Sequence, residues 1–127
     1  MISGEDNFYN YLISLFPTFK QYWSSDDNYN LKEDGSFDLS GLCAEFSQYY
    51  IDDFQLLGED EKKIFFDMVE SVLASDDVIE YECSIVMANC LKSCFIENIS
   101  QTEAGENSKE LMGKLTRDVF NQWHNYP

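Results

Sequence analysis

One histidine, four cysteines and 24 acidic residues are the groups in this chain whose chemistry could be catalytic or metal-binding. Nucleophilic catalysis needs a base held beside the nucleophile. The sole imidazole, His124, stands near the C-terminal end of the sequence, where chains commonly fray. Cys83, Cys90 and Cys94 recur at i, i+7 and i+11, on one helix face with Met87 and Leu91. That is the pattern of small buried hydrophobes. A zinc site would need Cys43 as a fourth ligand, and the chain has no CxxC pair. Asp26, Asn28 and Asn30 alternate like the first ligands of a calcium loop. Leu31 then stands where glycine is required and Phe37 where a bidentate Glu is required, so the segment reads as a solvated turn. The six glycines are scattered and form no phosphate loop. With acids this abundant, no carboxylate pair is singled out for acid/base work. The expectation is no catalytic residue, no metal and no cofactor: a protein that acts by binding, not an enzyme.

The elements that would carry these residues are helical. Phe8, Tyr11, Leu12, Leu15 and Phe16 recur at helical spacing behind a Ser3–Asp6 start signal, and Pro17 separates them from Phe19, Tyr22 and Trp23. Residues 24–36, rich in Asp, Asn, Ser and Gly, read as a long acidic loop. A helix is predicted over about 38–56 with Leu39, Leu42, Cys43, Phe46, Tyr49, Tyr50 and Phe54 as its stripe, and Gly58 separates it from another over about 60–74. After Ser75-Asp76-Asp77 comes a helix over about 78–99, apolar on most of its circumference beyond Cys83 and so expected to be central and buried. Residues 101–108 read as a polar loop, and Leu111, Leu115, Val119, Phe120 and Trp123 mark a last amphipathic helix. A short extended piece near Gly35-Ser36-Phe37 is the one alternative to helix or loop. The fold expected is all-α, a single domain over residues 1–127. It would be a helical bundle or a short stack of antiparallel hairpins, with about five helices.

Charge is the strongest clue to a partner. The net charge is −16, and the segment 26–82 carries 17 carboxylates against three lysines, while 98–127 carries four acids against three basic residues. Disordered acidic chains are poor in aromatics, whereas this one holds ten Phe, eight Tyr and two Trp. A folded body with a concentrated negative field attracts a positive partner and repels nucleic acid and anionic membranes. The N-terminus shows no signal-peptide pattern and no segment has bilayer-spanning length, so a cytoplasmic location is expected. Most acids have a plain reading as the solvated faces of amphipathic helices. The clusters Asp26-Asp27, Glu33-Asp34, Asp52-Asp53, Glu59-Asp60 and Asp76-Asp77 stand out because they fall at loops and element ends. They form the candidate pool for a partner interface, with Tyr29 and Tyr50 as aromatic anchors beside them.

Three segments carry a resemblance: Leu15-Phe16-Pro17-Thr18-Phe19-Lys20-Gln21-Tyr22-Trp23, Phe46-Ser47-Gln48-Tyr49-Tyr50 and Ala88-Asn89-Cys90-Leu91-Lys92-Ser93-Cys94-Phe95-Ile96-Glu97-Asn98-Ile99. The chain resembles, over about residues 8–123, a family of small, acidic, helical bacterial proteins similar to immunity proteins of polymorphic-toxin and contact-dependent growth inhibition systems. Ile96 replaces the Leu more usual there. The resemblance implies a cytoplasmic protein that binds and neutralises a cognate basic toxin domain, in many systems a nuclease whose site must be positive to hold phosphates. It carries no catalytic residues over. The other binding reading is an acidic mimic of nucleic acid, or an adaptor, that blocks DNA- or RNA-binding proteins. Neither reading has the chain binding nucleic acid or membrane itself, and its oligomeric state stays open.

Overall fold

Phe46 is ringed by four phenylalanines from four other parts of the chain. Its ring centroid lies 5.5 Å from Phe16, 5.2 Å from Phe19, 5.1 Å from Phe65 and 5.6 Å from Phe95. Offset and edge-on pairs at such spacings add to the burial of large rings. The computed structural model describes residues 5–25, 28–76 and 82–124, all of whose regular structure is helical. Helix α1 is Glu5–Leu15, α2 is Phe19–Trp23, α3 is Leu39–Asp53 and α4 is Glu59–Asp76, with a 3-10 turn at Phe54–Leu56 joining the last two. Helix α5, Glu82–Cys90, runs through a π-wound stretch, Leu91–Ile96, into α6, Glu97–Ile99. Helix α7, Glu103–Ser108, and a 3-10 turn, Lys109–Leu111, lead to α8, Lys114–His124. The start signal at Ser3, the break at Asp77 and the first residues of the expected 78–99 helix lie outside the described residues.

Helix α3 forms because its inward residues repeat at helical spacing and its entry is capped. Asp38, extended at φ −109°, accepts the Gly41 amide on its carboxylate at 2.6 Å, satisfying one orphan donor of the first turn. Leu39, Leu42, Cys43, Phe46, Tyr49 and Tyr50 are buried, and α3 packs against α1, α2, α5, the π stretch, α6 and α7. The centre expected of the 78–99 helix therefore falls to α3. That later rod buries Met87, Ala88, Leu91, Phe95, Ile96 and Ile99, but Val86 is 51% exposed and Asn89 and Ser93 face solvent. Within it the π-wound Leu91–Ile96 spends one extra residue per turn and has Leu91, Phe95 and Ile96 buried. Residues 101–108 correct the sequence reading: they hold α7, capped by Thr102, with Ala104, Gly105 and Ser108 buried. The expected extended piece near Gly35 is a turn, in which Gly35 takes φ 85°. Among the described residues no helix is long and apolar enough to cross a membrane.

Candidate functional site

From Glu33 to Glu61 the sequence holds nine carboxylates and no lysine or arginine. That stretch runs from the 24–36 loop through α3 to the start of α4. Elsewhere lysines answer acids within their own helical segment: Lys63 with Asp67 at 2.7 Å, Lys109 with Glu106 at 3.9 Å and Lys114 with Asp118 at 3.7 Å. Helix α3 has no such cation. Among the described residues, no ion pair includes its Glu45, Asp52 or Asp53.

Glu45, Gln48 and Asp52 follow at i, i+3 and i+7, so they share the outward face of α3. The 24–36 loop is tied over this face. Asn28 is buried; its amide donates to the Trp23 carbonyl at 2.7 Å, and its Oδ1 accepts the Asn30 backbone N–H at 2.9 Å. Asn30 Nδ2 in turn donates to Glu45 Oε1 at 3.3 Å. The alternating asparagines are thus engaged in anchoring the loop. From α2, Tyr22 donates its hydroxyl to Asp52 Oδ2 at 3.1 Å, and Gln48 Nε2 donates to Asp52 Oδ1 at 2.9 Å. A groove of about 410 Å³ opens between loop, α2 and α3, lined by Tyr22, Ser25, Asn28, Glu45, Gln48 and Asp52. Beyond Asp52 a second groove of about 250 Å³ runs between the α3–α4 corner and α7, with Ile51, Asp53, Phe54, Leu56 and Glu103 among its walls. Asp52 is the ridge between them.

Burial raises the Glu45 carboxyl above its ordinary 4.5; the Asn30 hydrogen bond opposes this and the Asp52 charge adds to it. Burial, followed by the bond to Asp52 and the charges of Asp52, Glu45 and Asp53, holds the Tyr22 phenol far above its ordinary 10.0. Tyr22 therefore stays a hydrogen-bond donor to Asp52 at physiological pH. Asp34 is lowered, chiefly because Ser36 donates its hydroxyl and its amide to Asp34 Oδ1 at 2.6 and 2.9 Å.

The residues singled out by sequence fall into separate places. Asp52 and Asp53 lie at the C-terminal end of α3, on the groove walls. Tyr29 is 92% exposed, next in the chain to Asn28 of the first groove. Glu59 and Asp60 are exposed at the start of α4, and Glu59 pairs with Lys62 at 2.9 Å. Lys62 is only 2% exposed, with its ammonium 3.7 Å from the centre of the Phe54 ring. Glu33 and Asp34 are exposed in the turn Lys32–Ser36, which the Gly35 amide closes onto the Lys32 carbonyl at 2.9 Å. Asp26, Asp27 and Asp77 lie outside the described residues, as does the side chain of Asp76, the last residue of α4. Tyr50 is a correction. It is fully buried, its hydroxyl 2.5 Å from Ser108 Oγ, and it joins α3 to α7 inside the core, where no partner reaches it. Cys43 and Cys90 are buried and Cys94 half-buried, and burial raises the thiols of Cys43 and Cys94.

Four residues of the grooves were not among the site candidates read from the sequence: Tyr22, Glu45, Gln48 and Leu56. The signal for Glu45 and Gln48 was their spacing with Asp52 on the face opposite the apolar stripe, which a search for adjacent acid pairs passes over. Leu56, 84% exposed, follows an apolar stripe with nothing in the sequence to mark it as outward. No protein-family model, curated protein or solved structure matches this chain.

Proposed function

We propose that this protein is a cytoplasmic immunity protein, a single helical domain that binds one cognate basic toxin domain and neutralises it. The observation that carries this reading is the stretch of nine carboxylates without a basic residue, of which Glu45, Asp52 and Asp53 line the two grooves, with Leu56 exposed in the second and Tyr29 exposed next to Asn28 of the first. Uncompensated charge speeds capture of a positive partner, and exposed apolar side chains supply anchors once water is expelled. A nuclease domain suits such an inhibitor, because its phosphate-binding surface is itself basic. The inhibitor must arrive before the toxin finds its substrate, and steering shortens that interval.

The test is co-expression of this chain with the toxin domain encoded beside its gene, alongside binding of the purified pair at low and high salt. Protection of the cell, one-to-one binding and an affinity that falls with salt are the expected results. Absence of both binding and protection overturns the reading. Binding to several unrelated DNA-binding proteins would instead point to mimicry of nucleic acid.

A further inference from the structure

We propose that the outward face of α3, with its two flanking grooves, receives an arginine-bearing segment of the partner, its guanidinium on Asp52 and Glu45 and a neighbouring apolar side chain on Leu56. This deepens the immunity reading and rests on it for the identity of the partner. Gln48 and Asp52 are exposed on this face, Asn30 and Tyr22 reach it from the loop and from α2, and grooves of about 410 and 250 Å³ open on either side of Asp52. Tyr29 and Leu56, 92% and 84% exposed, stand beside them as the most exposed large apolar side chains among the described residues. Leu56 lines the second groove, where a partner's apolar side chain would cover it.

The occupant follows from the charge. No lysine or arginine occurs between Lys32 and Lys62 to neutralise the face. Both oxygens of Asp52 are already held, one by Tyr22 and one by Gln48, so the carboxylate is fixed before a partner arrives. A fixed planar carboxylate matches the planar fork of a guanidinium, which donates parallel N–H bonds and is less strongly hydrated than an ammonium. The ring of Tyr22 gives the same groove an aromatic wall for that plane. Glu45, half-buried and repelled by Asp52, gains from any cation seated there. Lysine would satisfy the charge but neither the fork nor the stacking.

The probes are three acetylated hexapeptides, identical except that leucine is followed by arginine, lysine or the uncharged isostere citrulline. Each is titrated into the full chain and read by backbone amide shifts. The arginine peptide is expected to shift residues 22–30 and 45–56, the lysine peptide to bind several-fold more weakly, and the citrulline peptide to leave the grooves unchanged. The double variant Glu45→Gln, Asp52→Asn should weaken arginine-peptide binding about tenfold. Glu97→Gln with Glu110→Gln removes equal charge and should change it little. Leu56→Ala, remote from the Tyr22–Asp52 bond, is the second variant should the first lose its fold, and should weaken binding several-fold. Shifts spread over the acidic surface, equal loss in both charge-matched pairs, or lysine binding as tightly as arginine overturns the proposal. Protection from toxin that survives both the double variant and Leu56→Ala overturns it while leaving the immunity reading standing. Groove binding by the arginine peptide without protection overturns the immunity reading alone.

Discussion

Glu70 shows how a single side chain can hold two distant segments. It leaves α4 to receive the Leu115 amide at 3.1 Å and the Thr116 amide and hydroxyl at 2.9 and 2.8 Å, capping the first turn of α8. Burial pushes its carboxyl up, but those bonds together with the Lys114 charge win, and its net shift is below the ordinary 4.5. An acid at a helix N-terminus also meets the positive end of the helix dipole. Glu70→Ala should cost about 1 kcal/mol, the usual worth of a lost cap, and lower the Tm by about 4 °C. A lowered folded pKa means stability that is present above 4.5 and lost as pH falls through the folded value. The difference in Tm between wild type and Glu70→Ala should therefore shrink as pH drops below 4.5. A difference that stays constant into acid would show that the charge of Glu70 contributes nothing. No sequence pattern announces this cap, because caps are sought just before a helix and this one comes from 45 positions upstream.

At the scale of elements, the apolar stripes of α1 and α3, and that of α8 apart from Trp123, which is 38% exposed, were legible because large side chains repeat at helical spacing and must be buried together. Helix α7 was not legible. Its inward face is Ala104, Gly105 and Ser108, residues too small or polar to register as a stripe, set among Glu, Asn and Thr. Small side chains are what this position demands, since α7 lies against the end of α6. A Cβ on Gly105 would overlap the Ile99 carbonyl oxygen and sit 3.0 Å from Phe120 Cε2. Gly105→Ala should thus destabilise by about 1–3 kcal/mol, the range for overpacked cores, although alanine is the better helix former. Denaturant unfolding should show a lower midpoint at unchanged slope. An unchanged or raised midpoint would mean that α7 is free to move away from α6. The π stretch was equally hidden, because the sequence Leu91–Ile96 reads as ordinary helix and its winding is a property of the backbone alone. The candidate surface was half legible for a related reason. Acidic doublets stand out in a sequence, but whether Tyr29 or Tyr50 faces outward depends on packing: the loop projects Tyr29 and the α3–α7 contact encloses Tyr50.

Across the whole molecule, the aromatic core and the negative surface meet in the tyrosines. The phenols of Tyr9, Tyr11, Tyr22, Tyr49 and Tyr50 are all raised above 10.0, in each case mainly by burial, and nearby carboxylates add to the shift at all but Tyr9. In the unfolded chain they would ionise near 10. Above that pH the unfolded state has released protons that the folded state retains, so stability falls as pH rises. Tyr50 alone contributes about 1.4 kcal/mol of loss per pH unit, the slope for one proton. Deprotonation of lysines enlarges the net charge of −16 over the same range and adds self-repulsion. The protein should therefore unfold cooperatively above pH 10, with tyrosinate absorbance rising in step with loss of far-UV circular dichroism. Added salt, which screens repulsion between surface charges, should move the midpoint to higher pH. Replacing Tyr50 by Phe removes one titrating group and also the bond to Ser108. It should lower stability at neutral pH yet flatten the alkaline slope. If tyrosinate absorbance instead titrates gradually around 10 while the helix signal holds, the phenols reach solvent without unfolding and the coupling between core and charge is absent.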